Sequence, residues 1–311
     1  MLDRFVYWSF RLTILLMRPL PLRLAYRVAG AVAVLCYLTI FRRHRRALNG
    51  NLARVLQSTD SRYIDAVARH SFRNFGKYVV DFIHYPAMTP DEVKRRLRFD
   101  QFDELAEVAN SGRGALIVTL HYGNWDFGAA ALASLGHSIS VVAESFTYAP
   151  MNDLVQGSRA RLGMKIIQRE HAGSGALRAI RRAEWLGMLI DVTDGGEGAL
   201  RTEFFGAPAL VSSAPARIAL HTGAWVVPAV VLRGPDDDLE IRPYIDTSLR
   251  DYAPTGDGAV DVRTLTALIL RSLEERIRQH PEQWFIFQPL WDDAPVAASN
   301  ASSPSIEGSA T

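Results

Sequence analysis

From Gly114 onward the chain alternates between short apolar runs rich in β-branched residues and stretches with the apolar spacing of a helix. Such alternation is typical of an α/β protein, in which strands form a central sheet and helices cover it. The pattern predicts six strands, over residues 115–120, 138–144, 165–168, 188–191, 225–232 and 239–244. It predicts helices over residues 126–134, 150–162, 174–185, 213–222 and 262–279. Residues 47–98 have the pattern of further helices that support the sheet.

The N-terminal region combines basic and apolar character. Arginines recur every seven residues from Arg4 to Arg18 among aromatic and aliphatic side chains, so a helix there carries a basic stripe beside an apolar face. An apolar run over residues 28–41 follows, and the basic cluster 42–46 closes it. This run is shorter than the roughly 20 residues that cross a bilayer. We expect a helix that lies in, or dips into, a membrane interface; the alternatives are a hairpin packed on the protein's own core and a single-pass anchor extended toward Leu24.

These features divide the chain into three predicted parts. Residues 1–46 form a membrane-interfacial or anchoring helical segment, residues 47–293 form one domain, and residues 294–311, rich in Ala, Ser and Pro, form a disordered tail. A chain of 311 residues with 48% hydrophobic composition can bury one substantial core. Its single cysteine, Cys36, excludes an intramolecular disulfide framework and a Cys-rich metal site.

The strongest local feature is the end of the first predicted strand, which runs into His121-Tyr122-Gly123-Asn124-Trp125-Asp126. This order places His121 at the carboxyl edge of the sheet, where open α/β folds bind ligands. Asn124 can cap the next helix, so Asp126 falls in its first turn. We expect the Asp126 carboxylate to accept the imidazole N–H, which would make His121 a general base for an alcohol. The alternative for this spacing alone is a histidine that ends a strand and an aspartate that serves a helix N-terminus.

The motif resembles that of the lipid A biosynthesis acyltransferase family, which includes the phosphatidylinositol mannoside acyltransferases, within the glycerolipid acyltransferase superfamily. The family pattern is His-x4-Asp/Glu, often with Asn-Trp before the acid, and here it reads HYGNWD. Further matches follow in the same order along the chain: Asn51-Leu52, Arg159-Ala160-Arg161-Leu162-Gly163, Asp194, Glu203-Phe204-Phe205-Gly206, Thr222-Gly223-Ala224 and Pro281-Glu282-Gln283-Trp284.

The resemblance implies a glycerol-3-phosphate acyltransferase-like α/β fold, with a central mixed β-sheet flanked by helices and a membrane-associated helical N-terminus. It implies direct transfer of a fatty acyl chain from a thioester to a glycolipid hydroxyl, with His121 as general base oriented by Asp126. Acyl-CoA or acyl-acyl carrier protein would be the donor, with no other cofactor and no metal. The acceptor would be a lipid A precursor or a mannosylated phosphoinositide, at the cytoplasmic face of the inner membrane. We expect no nucleic-acid partner.

The resemblance also suggests further site residues. Glu203 would be a second catalytic partner of the histidine; the alternative is a solvated loop carboxylate. Arg159 and Arg161 would bind phosphate on the donor or acceptor, since guanidinium groups suit phosphate oxygens, unless they form an ordinary basic helix face. Asn124 and Asp194 complete the predicted substrate-binding set.

The sequence departs from the family pattern in two places. Other classes of enzyme nevertheless have less support from its motifs. Val192 stands where many relatives carry the first acid of Asp-x-Asp, and residues 285–291 lack the His-Arg pair common in lipid A enzymes. There is no Gly-x-Ser-x-Gly, and the nearest Gly-x-Gly-x-x-Gly has Arg178 in third place. Two alternatives stay open: a non-catalytic membrane-binding protein, and a metal-dependent glycosyltransferase using Asp191 and Asp194.

Overall fold

The computed structural model describes residues 2–193, 195–196 and 198–291, so the predicted tail, 294–311, lies outside the described residues. The strands are β1 (Ala115–Thr119), β2 (Ile139–Ala143), β3 (Lys165–Gln168), β4 (Trp185–Leu189), β5 (Ala199–Phe204), β6 (Ala207–Ser212), β7 (Trp225–Arg233) and β8 (Ile241–Ile245). The α-helices are α1 (Leu2–Met17), α2 (Leu22–Thr39), α3 (Arg42–Val55), α4 (Ser61–His84), α5 (Pro90–Arg96), α6 (Phe102–Asn110), α7 (Trp125–Ser134), α8 (Ala149–Arg161), α9 (Ala172–Arg181), α10 (Ala214–Thr222) and α11 (Gly258–Gln279).

Six of the strands form the central sheet, in the order β3-β2-β4-β1-β7-β8. The first five are parallel and β8 runs antiparallel to β7 at one edge, so the predicted mixed sheet flanked by helices is confirmed. β1 lies in the interior between β4 and β7, and its Leu116 and Val118 are fully buried. Burial on both faces explains why the parallel strands read as continuous apolar runs in the sequence.

Two features of the second half differ from the sequence prediction. The fourth strand of the central sheet covers Trp185–Leu189 rather than residues 188–191, and the helix before it ends at Arg181. A separate two-stranded hairpin, β5 with β6, was not predicted. The hairpin packs its apolar side, including the buried Phe204 and Val211, into the main core. It therefore extends the core beyond the central sheet.

The N-terminal helices have one packed face and one exposed face. Pro21 precedes α2, which lies along α4 and buries Ala25, Tyr26 and Tyr37. By length and composition α2 is the one helix in the described part of the chain that can cross a membrane, so the predicted run over residues 28–41 was too short. Its other face and that of α1 leave large apolar side chains exposed: Phe5, Val6, Trp8, Leu12, Leu15, Leu16, Leu24, Val32, Leu35 and Leu38.

The segment after α11 is fixed across the sheet edge by Asn51 of α3. The Asn51 Nδ2 donates to the carbonyl oxygens of Ile286, at 3.1 Å, and Gln288, at 2.8 Å. Its Oδ1 accepts from the N–H of Leu290 at 3.2 Å. Asn51 is fully buried, so these bonds satisfy an amide that water cannot reach. This clamp holds the C-terminal segment, with Trp284, beside the residues that follow β1.

Candidate active site

The turn that presents His121 requires glycine at position 123. Gly123 has φ +65°, and a Cβ there would lie 2.0 Å from the carbonyl oxygen of Val231 in β7. Its N–H donates to the carbonyl of Gln283 at 2.8 Å, and the carbonyl of His121 accepts from the N–H of Phe285 at 2.8 Å. Only glycine permits this close approach in a left-handed conformation. The turn is therefore held by β7 on one side and by the C-terminal segment on the other.

The imidazole of His121 is hydrogen-bonded to Asp191. Asp191 follows β4, which is a neighbour of β1 in the sheet. Nδ1 of His121 lies 2.9 Å from Oδ1 of Asp191, and the backbone N–H of His121 donates to Oδ2 at 2.9 Å. The indole N–H of Trp284 donates to the same Oδ2 at 3.4 Å. Asp191 is fully buried, whereas 34% of the His121 side chain is exposed. An ionised carboxylate only accepts, so Nδ1 carries the hydrogen and Nε2 keeps the lone pair that a general base needs.

Asp126 does not accept the imidazole N–H, so the predicted hydrogen bond from His121 to Asp126 is wrong. Asp126 lies in the first turn of α7, where Oδ1 accepts from Nε of Arg159 at 2.8 Å and Oδ2 accepts from Nη2 of Arg159 at 3.2 Å. Oδ2 also accepts from the hydroxyl of Tyr78 at 2.7 Å. Only 4% of Asp126 is exposed, and a buried carboxylate needs a cation and full hydrogen bonding. Arg159 provides both.

The pKa of His121 reflects both aspartates. Burial by itself lowers the pKa, but the charge of Asp191 and its hydrogen bond to Nδ1 outweigh burial, and Asp126 adds a smaller effect of the same sign. The net result is a pKa raised above the ordinary value for histidine. The imidazolium that forms when a base takes up a proton is therefore stabilised here.

Asn124 caps α7 as predicted, but its side-chain amide faces the protein interior. Oδ1 accepts from the N–H of Phe127 at 3.0 Å, which caps α7, and from the hydroxyl of Tyr85 at 2.6 Å. Nδ2 donates to Oδ2 of Asp81 at 2.9 Å. The residue is 2% exposed, so in this conformation it positions the turn after His121 rather than contacting a substrate.

Asp81 of α4 is the centre of a buried charged network that sequence analysis missed. Its carboxylate accepts from Nη2 of Arg96 at 2.9 Å and from Nη2 of Arg233 at 2.7 Å, besides Asn124 and the hydroxyl of Tyr26 on α2. Burial alone raises the pKa of Asp81, but the two arginines outweigh it and hold the pKa below its ordinary value. The network ties α2, α4, α5 and β7 to the turn that carries the histidine.

Two further predicted site residues, Glu203 and Arg161, do not contact the imidazole. Glu203 is exposed on β5 while its neighbour Phe204 is buried, and within the described ranges the carboxylates that act on His121 are Asp191, Asp126 and Glu144. Arg161 is exposed in the last turn of α8. Asp194 lies outside the described residues. Among the residues that are described, no cluster of three His, Cys, Asp or Glu side chains forms a metal site.

An apolar cavity of about 280 Å³ opens beside His121, between α7 and the central sheet. His121, Trp125, Asp126 and Arg159 line it where β1 ends and α7 begins. From there it follows α7 toward the amino ends of the strands, and its deeper walls include Ile117, Leu132, Leu135, Ile139 and Trp185. A cavity with one polar end and a long apolar interior suits a hydrocarbon chain with a reactive head.

These features define a class of α/β proteins in which a carboxylate-paired histidine stands at the sheet edge, at the mouth of an apolar cavity. The model of the bacterial lipid A biosynthesis acyltransferases matches residues 1–293, and the chain belongs to this family. Similar proteins include the phosphatidylinositol mannoside acyltransferase of Mycolicibacterium smegmatis, 24% identical over 251 residues, or 78% of each chain. The enzyme of that name from Mycobacterium tuberculosis is 25% identical over 250 residues, covering 78% of this chain and 76% of the relative. The chain is thus an acyltransferase of glycolipid biosynthesis.

Proposed function

We propose that this protein is an O-acyltransferase that moves a fatty acyl chain from a thioester to a hydroxyl of a phosphate-bearing glycolipid. His121 is the general base, and Asp191 is the residue that orients it. The observation that carries the proposal is the 2.9 Å contact between Nδ1 of His121 and Oδ1 of Asp191 at the mouth of the apolar cavity. The cavity accounts for the acyl chain, and the basic Nε2 accounts for the activation of an alcohol.

The reaction proceeds without a covalent enzyme intermediate. Nε2 of His121 takes the proton of the acceptor hydroxyl as its oxygen attacks the thioester carbonyl carbon. Collapse of the tetrahedral intermediate breaks the carbon–sulfur bond, and the imidazolium returns its proton to the leaving thiolate. An ester and a free thiol result. Asp191 stabilises the imidazolium throughout, because it accepts from Nδ1 in both protonation states.

We assign the acyl donor to the cavity. Its apolar interior along α7 holds the acyl chain, and its mouth holds the thioester beside His121 and Trp125. The carrier, coenzyme A or acyl carrier protein, stays outside in solvent. Arg159 is engaged with Asp126, so we assign it to holding the wall of the mouth rather than to binding phosphate.

The N-terminal helices attach the enzyme to the cytoplasmic face of the inner membrane. Phe5 and Leu15 of α1 are each 71% exposed and Trp8 is 64% exposed, a surface that hydrocarbon covers better than water. The exposed arginines at positions 42 and 43 add attraction to anionic lipid headgroups. With the enzyme attached to the membrane, lipid acceptors can reach the active site directly from the bilayer.

Lipid mass spectrometry of the host tests this function. The gene is deleted, then restored as wild type, His121→Ala or His121→Gln, and the variants are checked for equal amounts in the membrane fraction. We expect one glycolipid class to lose a single acyl chain and to regain it only with wild type. An unchanged lipid profile, or rescue by both histidine variants, would support a non-catalytic membrane-binding protein instead.

A further inference from the structure

A second apolar groove lies between α1, α2 and α4, on the N-terminal side of the molecule. Its volume is about 450 Å³, and apart from Thr13 and His44 its lining side chains are apolar. The lining includes Leu16, Val32, Ala33, Phe75, Val79 and Phe287. Leu16 and Val32 also belong to the exposed apolar face, at 54% and 53% exposure. The groove therefore opens on the surface that we assign to the membrane.

This groove is distinct from the cavity beside His121, but aromatic rings join the two. Among the residues that the structure describes, none lines both spaces. Contacting ring pairs lead from the groove to the base: Phe287 and Phe75 at 5.1 Å, Phe75 and Tyr78 at 5.9 Å, Tyr78 and Trp125 at 4.4 Å, and Trp125 and His121 at 5.2 Å between centroids. Tyr78 thus lies between Phe75, which lines the groove, and Trp125, which lines the cavity. We call this series the aromatic row.

The groove has a basic end. Phe41 and His44 line it, and their rings are in contact at 5.3 Å. They lie at the start of α3, which opens with Arg42, Arg43, His44, Arg45 and Arg46. Four arginines at a helix N-terminus attract phosphate through their own charge and through the free N–H groups of the first turn. The groove therefore combines an apolar body with an anion-attracting end.

We propose that this groove binds one hydrocarbon chain of the acceptor glycolipid, with the acceptor phosphate at the arginines of α3. The proposal rests on the proposed function and names the acceptor's own subsite. The carbohydrate headgroup then passes the partly exposed rings of the aromatic row, Phe75 and Trp125, while Tyr78 between them in the series stays buried, and it brings its hydroxyl to His121, opposite the donor chain. Aromatic faces are suitable surfaces for sugar rings.

The test compares a membrane acceptor with its deacylated, water-soluble headgroup. Val79→Trp fills the groove, and Val260→Trp is the control, because Val260 is an exposed valine on α11 that does not line the groove. We expect Val79→Trp to raise KM for the acylated acceptor by about four- to fifteenfold, as burial of one or two methylenes is lost. For Val79→Trp, KM for the deacylated headgroup, kcat and vesicle binding should stay unchanged, and Val260→Trp should leave KM for both acceptors and kcat unchanged.

A second, smaller substitution protects the test against misfolding. Val32→Phe narrows the groove from α2 at a side chain that is 53% exposed, and it should shift KM in the same direction, again for the acylated acceptor alone. Equal effects on both acceptors, or no effect from either folded variant, would overturn the groove assignment. Weaker vesicle binding with unchanged KM would assign the groove to an ordinary bilayer lipid. If wild type transfers an acyl chain to neither acceptor, the proposed function itself fails, whatever the variants do.

Discussion

Nδ1 of His121 and Oδ1 of Asp191 lie 2.9 Å apart although 70 residues separate them along the chain. The two residues follow β1 and β4, which are neighbours in the parallel sheet, so both emerge from the same edge. A second bond, from the backbone N–H of His121 to Oδ2, fixes the carboxylate against rotation. Placement on two paired strands gives this contact the rigidity that a general base requires.

Asp191→Asn should lower kcat by about 10²- to 10⁴-fold, because an amide cannot accept from both N–H groups of His121 and favours the wrong tautomer of the imidazole. Steady-state transfer assays with purified protein measure this loss. Asp126→Asn is the matched control. It also removes one buried carboxylate charge, but from the residue that binds Arg159 rather than from the residue that binds the imidazole. At a temperature where both variants are folded, we expect Asp126→Asn to retain far more activity. The reverse ranking would return the orienting position to Asp126.

The pH dependence of kcat/KM should show an acidic limb that rises with a midpoint above the ordinary imidazole value of about 6.5. The base works when neutral, and the raised pKa of His121 keeps it protonated to higher pH, so the limb moves upward. Asp126→Asn removes one of the charges that raise this pKa and should move the midpoint down. A limb that lies below the ordinary value in wild type would contradict the charge balance described here.

Part of this site could be predicted from the sequence, and the part that was missed also had a recognisable sequence signal. The strand before His121, the glycine turn and the cap at Asn124 were predictable, because each depends on residues adjacent in the chain. Asp191 was not predicted as the partner of His121, since strand order in a parallel sheet cannot be read from local patterns. Yet a charged residue directly after a buried strand is the same signal that identified His121. Asp126 was predicted as the partner of His121 because of its spacing from the histidine. In the structure it instead accepts hydrogen bonds from Arg159, which is distant in the sequence.

The hairpin of β5 and β6 was missed for a local reason. Its turn places Phe205 at φ +51° and Gly206 at φ +72°, which is the two-residue geometry usually marked by Asn-Gly or Asp-Gly. A phenylalanine at the first position hides that signal, and Pro208 within β6 argues against a strand. The aromatic side chain is retained here because it is buried against Trp284 and Trp291. Core packing therefore overrides the local backbone preference.

The length of the donor chain should follow the depth of the cavity. Leu132 lies two turns along α7 from Trp125 and lines the deeper wall. Leu132→Trp shortens the available space and should shift the preferred acyl chain to fewer carbons, while Leu132→Ala should shift it to more. Competition assays with a mixture of acyl thioesters, read by mass spectrometry of the product, measure both. An unchanged preference in both variants would place the donor chain outside this cavity.

Asp81→Asn should be among the most damaging substitutions remote from the reacting groups. It leaves Arg96 and Arg233 without the buried charge that compensates them, a change that removes about 3–5 kcal/mol from the free energy of unfolding. Tyr26→Phe keeps the carboxylate charge and deletes the two hydrogen bonds of the hydroxyl, to Asp81 and from Arg96, and should remove about 1–3 kcal/mol. Urea denaturation measures both losses. Glu107→Gln, at an exposed ion pair with Arg250, is the control and should leave the midpoint unchanged.

The same substitution should also reduce activity in molecules that remain folded, because Asp81 accepts from the amide that caps α7 and fixes the turn after His121. A displaced turn misaligns Nε2 with the hydroxyl, so kcat should fall while KM for the donor changes little, since the cavity walls are intact. Assays below the unfolding transition, normalised to the folded fraction, test this. Full activity in folded Asp81→Asn would show that Tyr85 and the C-terminal segment suffice to hold the turn.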